Sequence, residues 1–169
     1  MSGYAAVSTI HETVLDAILT RFPVHLAAVN AELGTDAPPL AADPDGRGGK
    51  ALYTREGVRY LFPCVEAIPP ECTVSDDTDA DWRVAVMTGQ FITEGEVGVF
   101  LSYNGTEAQL TAWAVPYETA LARTFLEPRV EGEEWWLPIT MTSSPIVKVE
   151  DREGFFRTVL VTVRMQVAS

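Results

Sequence analysis

The segment that most constrains this chain is 155–169, FFRTVLVTVRMQVAS. Val159, Val161, Val163, Met165 and Val167 alternate with Leu160, Thr162, Arg164 and Gln166, the period of two that gives a strand one buried face. A strand of this length carries a row of backbone donors and acceptors. Its neighbours must come from earlier in the chain or from another subunit. Residues 135–150 and 82–93 are the leading candidates within the chain.

Two other segments carry a helical period. Thr9 and Glu12 form a T-x-x-E capping pattern, which predicts a helix beginning near Thr9. Ile10, Val14, Leu15, Ile18, Leu19 and Phe22 recur on one face, and Leu26, Val29 and Leu33 continue the stripe to Gly34 past a kink expected at Pro23. Thr106 and Gln109 make a second capping box. Leu110, Trp113, Ala114, Tyr117, Leu121 and Phe125 then define a helix to about Leu126, with a bend expected at Pro116. Between the helices, VRYLFPCVEAI reads as a strand interrupted by Pro63, WRVAVMTGQFIT as a strand, and EGEVGVFLSYNG as a turn and another strand. WWLPITMTS and PIVKVED add strand character after the second helix.

Helix, strands, helix, strands is the order of an α+β fold. The expectation is a mainly antiparallel (mixed) sheet with two amphipathic helices packed on one face. Residues 1–169 are read as a single domain with long loops at about 35–50 and 69–81. With 47% hydrophobic residues over 169 positions, such a domain buries roughly 70% of its unfolded surface and needs no staples. Cys64 and Cys72 match no zinc or redox spacing and are read as inert thiols.

Charge narrows the partners. Twelve basic residues against 24 acidic ones give −12, which argues against a surface built to neutralise phosphate. No signal peptide and no run long enough to span a membrane is visible, so the chain is expected to act without export. Asn104-Gly105-Thr106 is then a turn rather than a glycosylation site.

Each apparent active-site motif fails on its chemistry. A Walker loop would need glycine where Pro44 stands and Ser or Thr at Ala51. Asp77, Asp79 and Asp81 imitate a calcium loop, but Trp82 replaces its glycine and Thr88 its bidentate glutamate. His11-Glu12 begins a zinc-protease helix whose second histidine would be Leu15, and His25 has no ligand spacing to His11. No G-x-S-x-G turn occurs. The chain is therefore expected to be neither an enzyme nor a holder of metal or cofactor, and its work to be binding.

Two places suit a partner interface. The loop TDAPPLAADPDGRGGK at 35–50 has reach and no periodicity, which singles out Pro38, Pro39, Asp45, Arg47 and Lys50. Trp135 and Trp136 are adjacent in a strand-like segment, so either one can enter the core while its neighbour faces out to a partner, or both pack under the helices and loops.

The order of TIHETVLDAILTRF, WRVAVMTGQF, VGVFLSY, TEAQLTAWAVPYETALARTFL and FFRTVLVTVRMQVA resembles the tail terminator, or tail completion, proteins at the neck of long-tailed bacteriophages. The likeness spans nearly the whole chain and lies in topology, since no catalytic signature defines the family. It implies a ring, usually of six subunits, that caps the tail tube, joins the head-completion or connector protein, and lets DNA pass without specific binding. The implied location is the virion neck, after assembly in the host cytoplasm. A head-completion or other tube-like neck protein is the near alternative, and a small ligand-binding α+β domain a more distant one.

Overall fold

The computed structural model describes residues 3–41, 52–54, 57–59, 62–67, 71–76, 91–126, 135–136, 140–148 and 154–168. Helix α1 spans Gly3–Leu33 and is followed by strands β1 Leu52–Thr54, β2 Gly57–Arg59, β3 Cys64–Ala67, β4 Glu71–Asp76 and β5 Phe91–Gly105. Helix α2 covers Glu107–Leu126. Strands β6 Trp135–Trp136, β7 Thr140–Ser143, β8 Val147–Lys148 and β9 Phe155–Ala168 complete the order.

The long strands β5 and β9 pair antiparallel along their whole length, from Ile92 opposite Ala168 to Gly105 opposite Phe155. Short strands line both outer edges of this ribbon. β3 and β4 lie end to end along β5, while β6, β7 and β8 lie end to end along β9. The terminal strand thus finds its neighbours within the chain, in 135–148 as expected and in β5. Of the proposed partner 82–93, residues 82–90 fall outside the described set. β1 and β2 form a separate hairpin.

Alternation decides which face is covered. Val97, Val99 and Leu101 sit directly across from Val163, Val161 and Val159, and all are fully buried. Val14, Ile18, Phe22 and Leu26 of α1 and Leu110, Tyr117, Leu121 and Phe125 of α2 join them in one core cluster. Both helices therefore pack on the same sheet face. Every described pairing is antiparallel, and the fold is α+β. Each such side chain contributes about 1.5–3 kcal/mol by burial, far more than the exposed ion pairs bring.

Local chemistry accounts for the ends of the helices. The backbone N–H of Thr106 donates to Gln109 Oε1 at 2.9 Å, and the N–H of Gln109 donates to Thr106 Oγ1 at 3.3 Å, so the predicted capping box of α2 is formed. At the end of α1, Gly34 takes φ 64° and the Thr35 N–H donates to the Asn30 carbonyl at 3.0 Å, the six-to-one bond of a Schellman stop.

Four expectations need correction. α1 starts at Gly3, so Thr9 lies well inside it and not at its start; Ala5 and Ala6, strong helix formers, favour the helix upstream. Leu19 and Leu33, placed on the buried stripe, are 42% and 50% exposed because Ile18, Phe22 and Val29 already fill the core side. Glu71–Asp76 of the expected acidic loop is a strand paired with Phe91–Glu96. Glu94-Gly95-Glu96, expected as a turn, lies inside continuous β5, where pairing on both sides holds Gly95 extended.

Candidate functional site

The first part of the predicted loop is strapped to the body. Asn30 holds its start: Oδ1 accepts from the Thr35 hydroxyl at 2.9 Å and the Ala37 N–H at 3.2 Å, while Nδ2 donates to the Ala37 carbonyl at 2.9 Å. Trp113 Nε1 donates to Asp36 Oδ1 at 3.1 Å, and the Tyr117 hydroxyl donates to the Pro38 carbonyl at 2.7 Å. The Ala41 N–H then donates to the Pro63 carbonyl at 2.9 Å. Ala37 is buried and Leu40 packs against the core, so 35–41 belongs to the fold.

Of the interface candidates, Pro38 is half-buried and Pro39 exposed on this strap. Asp45, Arg47 and Lys50 lie outside the described residues, as do Asp77, Asp79 and Asp81. Trp135 and Trp136 pair with Gln166 and Met165 as strand β6. The strap meets the sheet beside Cys64, whose row runs through Ser102 to Thr158. Residue 158 is about 27 Å along β9 from Gln166 at 3.4 Å per residue. Pro38 and Pro39 therefore stand at one end of the ribbon and the tryptophan pair at the other.

A polar cluster sits under α2. The Ser143 hydroxyl donates to Glu118 Oε1, which also faces Arg157 Nη2 at 3.6 Å. Tyr103, opposite Arg157 in the ladder, packs its ring against that of Tyr117 with centroids 4.6 Å apart and planes tilted by 49°. Among the described residues its buried hydroxyl has no hydrogen-bond partner. Burial pushes the Tyr103 phenol up to about 12, with Arg157 opposing and Glu118 reinforcing the shift. Burial, then Tyr103, raises Tyr117 as well. The packed phenols and the contacts of Glu118 with Ser143 and Arg157 fix α2 on β7 and β9. Among the described residues no group of three His, Cys, Asp or Glu side chains is placed to hold a metal, and no helix is long and apolar enough to cross a membrane.

The sequence reading missed the outward faces of the helices. Among the described residues, five of the six exposed large hydrophobic side chains lie on them: Leu19, Val24, Leu33, Val115 and Leu126. The signal was present as missing charge, because the side of α2 away from the core reads Ala108, Ala112, Val115, Thr119, Ala122 and Leu126. No protein family model and no curated protein matches this chain.

Proposed function

We propose that this chain is a structural protein of the phage neck, a tail terminator whose ring caps the tail tube and joins it to the head connector. The observation that carries the reading is the arrangement of elements. Two helices, the second opened by its capping box, pack as one layer on one face of a long antiparallel ribbon, and of the segments on which the resemblance rests all but residues 82–90 are among the described ones. The acidic balance of −12 suits a passage that DNA must traverse without sticking. Tail tube protein, head-completion protein and further copies of the chain are the partners this role requires, and the virion is its place. The test is electron microscopy of particles assembled with and without the chain. Overlong tails detached from heads are expected when it is missing, and tails of normal length joined to heads would sink the proposal.

A further inference from the structure

The outer face of the helix layer carries an inference independent of the neck. α1 and α2 pack on the same side of the sheet, so their outward rows point the same way. On α1 that row is Thr20, Pro23, Val24, Ala27 and Ala31, all exposed. On α2 it centres on Ala108, Ala112 and Val115 and ends at Leu126. Val24, Val115 and Leu126 keep 65%, 57% and 66% of their surface in water.

Charge is what sets this face apart. The chain is −12 overall, yet between Asp16, which is exposed one turn before Thr20 and bounds the patch, and the end of α1, and over 108–126 of α2, the exposed charges reduce to Glu32 and the partly exposed Arg123. Arg123 neutralises it through two hydrogen bonds of 2.8 and 2.7 Å across the two helices. A solvated helix face on an acidic protein has no reason to exclude acids.

We propose that this face is where a second copy of the chain docks, helix layer against helix layer. A basic partner would find only Glu32 to recognise here, already held by Arg123, and a nucleic acid only that same paired Arg123. Two copies of an acidic chain repel except where both surfaces are neutral, and this face is neutral and apolar on each. Its size is sufficient. Fifteen residues at 1.5 Å rise and two helices each about 10 Å wide give roughly 450 Å² per copy in projection. Side-chain relief brings the area buried by a pair to about the 1,000 Å² at which specific interfaces begin. The contact is two-fold, unlike the head-to-tail contacts that close a ring, so it adds to the neck reading and does not depend on it.

The experiment is sedimentation velocity of the full chain over a range of concentrations, for the native protein and for Val24→Glu, Val115→Glu and Val147→Glu. Val147, on β8, is the remaining exposed large hydrophobic among the described residues, 47% exposed, and makes the same chemical change off the helix layer. Circular dichroism and a thermal melt establish that each variant is folded. Native protein should form a species of twice the chain mass, and raised salt should strengthen it by screening the acidic copies. Val24→Glu and Val115→Glu should each raise the half-association concentration about tenfold or more, and Val147→Glu should leave it unchanged. A native chain monomeric at every concentration, or equal loss in all three variants, would overturn the proposal. Either result leaves tail capping to be judged by the particle assay alone.

Discussion

Tyr103 and Tyr117 share a ring contact and a burial class but differ in what their hydroxyls do. Tyr117 donates to the Pro38 carbonyl, whereas the Tyr103 hydroxyl is desolvated with no partner among the described residues. Removing the two oxygens should therefore have opposite consequences. Tyr117→Phe strips a half-buried carbonyl of its donor and should cost about 1 kcal/mol or more. Tyr103→Phe removes an unreturned desolvation and should be neutral or stabilising by up to about 1 kcal/mol. Urea unfolding midpoints of the two variants decide the matter, and equal losses would contradict the geometry. The same burial has a pH consequence. Unfolded tyrosines ionise near about pH 10, while burial pushes Tyr103 to about 12 and Tyr117 upward too. The contribution of these neutral phenols is full below about pH 10 and is lost as pH rises through the folded values. Urea titrations from about pH 8 to pH 11.5 should show stability falling from about pH 10 upward, with a shallower fall in Tyr103→Phe; a flat profile would refute the assignment.

At the scale of elements, the ribbon of β5 and β9 is where the fold is most exposed to a single change. Val163 is fully buried opposite Val97 beneath both helices. Val163→Asp would place a carboxylate in this apolar cluster, a cost of several kcal/mol against a total stability of about 5–15 kcal/mol. The expected result is a protein without a cooperative thermal transition, and a soluble variant that melts sharply would show the face to be wrongly placed. This face was legible because period-two alternation over 159–163 is a non-local signal in local form: only burial on one side writes it. The α2 cap was legible for a different reason, since Thr106 and Gln109 serve each other within one turn. The same pattern at Thr9 and Glu12 misled, because a capping box says what side chains can do and not whether Ala5 and Ala6 upstream continue the helix. Gly95 misled similarly: its turn propensity is intrinsic, while the ladders on both flanks of β5 are tertiary. The breaks that divide β7 from β8 were half visible, as Pro145 lacks a donor. What the sequence hid is the repair, in which the Ser144 hydroxyl accepts the Thr158 N–H at 3.0 Å.

For the whole molecule, the question is which surface is left for partners once the fold has taken its share. Loop 35–50 looked uniform in sequence because proline, glycine and aspartate signal irregular backbone without saying what it touches. Its first seven residues are committed: Asn30, Trp113, Tyr117 and Pro63 each hold part of 35–41, and Ala37 and Leu40 join the core. An arm that reaches a neighbour must therefore draw on 42–50, where Asp45, Arg47 and Lys50 are found. The helix faces were equally readable, yet a search for buried stripes treats the other side as solvent and does not ask whether it carries charge. Deleting 42–48 tests the arm without touching the strap. The shortened chain keeps the carbonyl that Tyr117 uses and the N–H that Ala41 donates, so its thermal melt should match the native protein. In assembling particles it should fail at ring closure or joining, seen by electron microscopy as overlong tails or heads without tails. Should such particles show tails of normal length fixed to heads, the arm has no part in assembly, and the partner surface must be sought on the helix layer or at β6 instead.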